Sequence, residues 1–166
     1  GRPAVDFYPL TPADAFDCVD EYLDRAAAEN APPPEPEALS RDRVFDAVMR
    51  RFEAMERQRP AVLAIDRAIE RDAFAQAAAF SRAARTARWL LALAGADTDG
   101  VSAAARAQSL VFVLREARRA WAKDDAGDFA KTMAALDKGL RRADSFFEGV
   151  SKMAGGLRPG SPPWSA

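Results

Sequence analysis

The sequence predicts an all-α protein, a helical bundle of about six helices, on three observations. Apolar residues recur at steps of three and four over long stretches, as in Ala103, Ala107, Leu110, Leu114, Ala117 and Trp121, the repeat of a half-buried helix. Capping residues, prolines and glycines mark where such stretches begin and end. No segment suggests a strand.

Thr11, Pro12 and Asp14 form a helix start, with Thr11 as the cap, Pro12 at the first helical position and Asp14 facing the positive end of the dipole. That helix is expected to reach about Asn30 and to bury Phe16, Val19, Tyr22, Leu23 and Ala26. Its opposite face carries Asp14, Asp17, Asp20, Glu21, Asp24 and Glu29 against Arg25 alone, an acidic face that repels a phosphate backbone. Ala31 to Glu37, APPPEPE, is too rich in proline to stay helical and reads as a semi-rigid spacer of polyproline type.

Ser40 caps a second helix with Val44, Phe45, Val48, Met49, Phe52 and Met55 at helical spacing, ending near Arg59. Pro60 opens a short third helix holding Val62, Leu63, Ile65 and Ile69. A fourth runs from about Asp72 to Ala94, stopped by Gly95 as a left-handed C-terminal residue. It is apolar on two sides, Phe80, Ala84, Ala87 and Leu91 on one and Phe74, Ala77, Ala78 and Ser81 on the other, which predicts a central place in the bundle. Asp97 to Gly100 is a turn, and the fifth helix after it reaches about Lys123. Asp124 or Asp125 begins the last helix, with Phe129, Met133, Leu136, Leu140, Ala143, Phe147 and Val150 in alternating steps. Two long striped helices joined by a turn make an antiparallel hairpin. From Gly155 the chain is GGLRPGSPPWSA, a tail expected to be disordered or to lie over the surface.

At 166 residues, with 49% of them apolar, the chain forms one domain with a substantial core. The 24 basic and 25 acidic side chains leave a net charge of −1, which offers no global attraction for DNA or an anionic membrane. There is no histidine, so the commonest general base and metal ligand are absent. Cys18, the single cysteine, lies between aspartates that disfavour a thiolate. These features predict a protein that is not an enzyme, with no cofactor and no metal. No long apolar run and no signal-peptide pattern is seen, so a soluble, cytoplasmic protein without membrane contact is expected.

Asp6 to Phe16, DFYPLTPADAF, resembles the motif by which TetR-type transcription regulators leave their recognition helix. Phe7 stands at the tyrosine place, Leu10 at the phenylalanine place and Phe16 at the leucine place, while Pro12 and Ala13 replace Ser and Lys. Arg41 to Met55 and Trp121 to Asp144 are similar to the ligand-binding domain of that family. The second block also resembles helical lipid-binding proteins of ubiquinone biosynthesis, whose fold is related. The resemblance implies a helix-turn-helix exit at residues 1–11, a ligand-binding and dimerisation domain at 12–150 and a flexible tail at 151–166. DNA contact would belong to a region not in this chain, because only GRPAV precedes the motif.

In that family the last two helices pair with their copies, which implies a homodimer interface at Leu110, Leu114, Trp121, Phe129, Met133, Leu136, Leu140 and Phe147. The middle helices surround an effector cavity, which would be lined by Phe45, Met49, Phe52, Phe80, Trp89 and Phe112, with Arg85 or Arg88 as a donor. Such walls suit an apolar or aromatic small-molecule effector. The alternative is a free-standing helical carrier of a hydrophobic metabolite, a quinone or lipid, on the same fold.

Overall fold

The structure is a computed structural model that describes residues 12–29, 31, 40–96, 100–124 and 127–153. Among the described residues it is an all-α bundle of six helices without a strand. They are α1 (Pro12–Ala28), α2 (Ser40–Arg57), α3 (Arg59–Glu70), α4 (Ala73–Leu93), α5 (Gly100–Trp121) and α6 (Ala130–Met153). Most of the Asp6 to Phe16 motif, the Thr11 cap, most of the proline spacer, the tail from residue 154 and the side chain of Phe147 lie outside the described residues.

The core gathers where the sequence stripes are longest. Ala103, Ala107, Leu110, Ala117 and Trp121 of α5 are buried against Leu136, Leu140 and Ala143 of α6. The two helices approach closely at Gly139, where an added Cβ would sit 2.8 Å from Val113 Cγ1. A mid-helix glycine costs about 1 kcal/mol relative to alanine, and here it admits the α5 side chain. From α2 come Val44, Ala47, Val48, Phe52, Ala54 and Met55, from α3 Val62, and from α4 Ala87, Leu90 and Leu91. Phe52 reaches the Trp121 ring, with centroids 6.5 Å apart.

Helix ends follow local chemistry. Asp72 caps α4, its Oδ1 accepting from the backbone N–H groups of Phe74 and Ala75 at 2.8 and 3.2 Å. Gly95 closes α4 with φ +74°, a value that suits a residue without Cβ. The expected start of α6 at Asp124 or Asp125 is corrected, because the helix begins at Ala130 and Asp124 caps it from a distance.

One expectation about faces is also corrected. The second apolar side of α4, Phe74, Ala77, Ala78 and Ser81, is exposed, so α4 is covered on one side and open on the other. The acidic side of α1 packs against the bundle. It turns three aspartates onto arginines of α2 and α4, while Leu23 and Ala27 supply the buried apolar contact.

Candidate functional site

Arg51 on α2 is the centre of a polar cluster that ties α1, α2 and α4 together. It is 6% exposed. Its Nε donates to Asp24 Oδ1 at 2.7 Å and its Nη2 to Asp20 Oδ1 at 2.8 Å. The two aspartates are one helical turn apart, so one guanidinium fork grips both. Asp24 Oδ2 also accepts from Thr86 Oγ1 of α4 at 3.4 Å. Arg82, equally buried, brings its Nε to 3.4 Å from Asp20 Oδ2, and its guanidinium carbon lies 5.5 Å from the centre of the Phe16 ring. Arg82 Nη2 is buried without a hydrogen-bond partner. Further along α1, Asp17 accepts from Arg85 Nη2 at 2.6 Å in an exposed pair. Exposed pairs contribute about 1 kcal/mol or less, whereas removing one partner of a desolvated pair leaves a charge uncompensated.

The third guanidinium nitrogen of Arg51, Nη1, has only the Met55 thioether as acceptor, at 3.6 Å. Arg51 and Met55 belong to the wall of a crevice between α2 and α5, with Val48, Phe52, Leu114 and Arg118 as the other walls. Arg118 is fixed from outside by Asp66 of α3, through Nε at 3.0 Å and Nη2 at 2.7 Å. The crevice measures about 20 Å³, room for a water molecule or so and far below the roughly 300–1,000 Å³ of drug-sized pockets.

The seven residues expected to line an effector cavity are not brought together. Phe52 is buried, and Phe45, Met49 and Trp89 are partly buried against the core. Phe80 and Phe112 are a surface pair, edge to face with centroids 6.5 Å apart, and Arg85 is exposed in its pair with Asp17. Of the seven, only Phe52 touches the crevice.

The expected dimer residues differ in exposure. Leu110, Trp121, Leu136 and Leu140 are fully buried within the single chain and leave nothing for a second copy to touch. Leu114 and Phe129 are partly buried against the same core, and Met133 is exposed. A stripe at helical spacing tells which side of a helix is covered, and here its own chain covers it.

A second polar cluster sits at the turn between α5 and α6. Glu56 Oε2 accepts from Trp121 Nε1 at 2.7 Å and from Arg59 Nη1 at 2.8 Å. The Arg59 guanidinium carbon lies 4.7 Å from the Trp121 ring centre, and its Nη2 donates to the carbonyls of Trp121 and Asp124 at 3.1 and 2.7 Å. It thus caps the end of α5 from the start of α3. Asp124 Oδ2 accepts from the Thr132 backbone N–H at 2.9 Å and its Oγ1 at 2.6 Å, and Oδ1 accepts from the Lys131 N–H at 3.1 Å. Burial pushes the Asp124 carboxyl up, but the Thr132 and Lys131 hydrogen bonds and the Lys131 charge outweigh it and hold it below its ordinary 3.8.

Sequence reasoning missed Arg51, Arg82 and Arg118. The available signal was the spacing of Asp17, Asp20 and Asp24 on one side of α1, which matches arginines at 82 and 85 on α4. Among the described residues no group of three or more potential metal ligands is assembled, and no helix is long and apolar enough to cross a membrane. No family model, no curated protein and no solved structure matches this chain.

Proposed function

We propose that this chain is the effector-binding and dimerisation domain of a TetR-type transcription regulator, a non-catalytic sensor whose DNA contact is made by a separate head. The observation that supports the reading is the double employment of Arg51. Two of its nitrogens hold α1 through Asp20 and Asp24, and the third faces the thioether side of the crevice between α2 and α5. A small molecule that widened the crevice would displace Arg51 and so shift the setting of α1, the helix that begins within the motif at residues 6–16. A ligand acts in this way only through its different affinities for the two settings of α1. The apolar walls and two guanidinium groups favour an aromatic molecule that carries an acid.

The test is calorimetric titration with 2-naphthoate, followed by amide hydrogen exchange across α1. Binding that changes α1 protection, and that is lost in Leu114→Trp, which fills the crevice, is the expected result. A silent titration, or equal binding by the filled variant, overturns the reading.

A further inference from the structure

Each of the three aspartates of the α1 clamp has a donor on α4, and two of those donors are held at a distance. Asp17 is gripped there by Arg85 Nη2 at 2.6 Å. Asp20 gives Oδ1 to Arg51 at 2.8 Å, while its Oδ2 stands 3.4 Å from Arg82 Nε. Asp24 gives Oδ1 to Arg51 at 2.7 Å, while its Oδ2 stands 3.4 Å from Thr86 Oγ1. Both carboxylates are thus divided. One oxygen is bonded to α2, and the other faces α4 beyond the roughly 2.7–2.9 Å of a charge-assisted N–H···O bond.

We infer that Arg82 and Thr86 are receiving groups: when Arg51 lets go, α1 closes on α4, Arg82 takes Asp20 and Thr86 takes Asp24. The two are then positioning residues that fix a second setting of α1. The inference deepens the proposed function by naming that setting, and it rests on that reading only for the ligand that draws Arg51 away.

Burial is the first argument. Arg82 and Thr86 are 6% and 5% exposed, and Arg82 Nη2 is buried without a hydrogen-bond partner. A buried donor without an acceptor keeps its full desolvation penalty, so a nearer Asp20 carboxylate is a gain for Arg82. Detachment of α1 into solvent would instead leave that guanidinium buried with its carboxylate gone, the costlier outcome. Distance is the second. A closure of about 0.5 Å brings Asp20 into hydrogen-bond range of Arg82, a step that needs no unwinding of either helix. Attachment is the third. Asp17 is already on α4, and the Phe16 ring lies 5.5 Å from the Arg82 guanidinium carbon, so this end of α1 is on α4 in both settings. The shorter bonds of Arg51 favour the α2 setting until that side chain is engaged elsewhere, which makes the clamp a choice between two discrete arrangements.

NMR of the arginine Nε–H groups tests the inference without any ligand. In Arg51→Met the Arg82 Nε–H signal, assigned by its loss in Arg82→Lys, is expected to move downfield. Its exchange with water is expected to slow on the order of tenfold, the worth of one hydrogen bond to a charged group. Amide exchange in α1 supplies the second reading. Arg82→Met is expected to quicken it on the order of tenfold more in the Arg51→Met background than in the wild type. An Arg82 signal that stays where it was, or an equal effect of Arg82→Met in both backgrounds, overturns the inference. Should Arg51→Met not fold, Arg51→Lys, whose single ammonium lacks the fork that grips both carboxylates, is read in the same way. A silent naphthoate titration leaves these readings standing, and an unmoved Arg82 leaves the titration standing.

Discussion

The clamp on α1 and the hinge between α5 and α6 are both built from charged side chains, yet they hold the bundle differently. In the clamp, Asp17, Asp20 and Asp24 meet Arg85, Arg82 and Arg51 side chain to side chain, and the apolar burial beneath them is slight, chiefly Leu23 and Ala27. In the hinge, Arg59 and Asp124 bond mainly to backbone groups, around a fully buried Trp121. Side-chain ion pairs can be exchanged for water without unwinding either helix, whereas losing backbone caps frays helix ends that sit in the core. The bundle therefore has one helix attached by exchangeable contacts and a hairpin that is bound into the fold.

Three substitutions sharpen this contrast. Trp121→Ala removes a buried ring, together with the indole donor to Glu56 and the aromatic face under Arg59, and it is expected to cost about 3–5 kcal/mol, seen in urea unfolding as a loss common to all helices. Arg51→Met keeps volume but leaves Asp20 and Asp24 without their main partner. Because those aspartates keep some contact with water, the cost is expected to be about 2 kcal/mol, and hydrogen exchange should speed up in α1 well before α5 and α6. Equal acceleration everywhere would break the comparison. The smallest effect, about 1 kcal/mol, belongs to Asp124→Asn, and it depends on pH. The folded carboxyl titrates below 3.8, so its contribution is present above the unfolded value and vanishes as pH falls through the lower folded one. Wild type and variant are therefore expected to differ in melting temperature at neutral pH and to converge in strong acid.

Much of the fold was legible because the hairpin stripes run without a break and because Gly95 stands where a helix must end. Those signals are local. The stripe could not say whether Leu110, Trp121, Leu136 and Leu140 were covered by their own chain or by another, since period reports burial and not the identity of the cover. The start of α6 was misplaced because Asp124 caps the helix from across a loop, beyond the usual position for a capping side chain. The site was less legible still. Asp24 meets Arg51 at a separation of 27 residues and Asp17 meets Arg85 at 68, and no local pattern announces such pairings. Phe80 and Phe112 resembled pocket walls because aromatic character alone does not distinguish a wall from a surface pair.

Arg59 also bears on the order in which the protein assembles. Its guanidinium reaches carbonyls 62 and 65 residues further along the chain, so that bond waits until the whole stretch from α3 to α5 has closed. The α5 and α6 hairpin, made of contacts between neighbours in sequence, has no such wait and forms with one end still uncapped. Arg59 is then a late latch rather than part of the nucleus. Its loss should leave the rate of refolding almost unchanged and let the finished protein open faster.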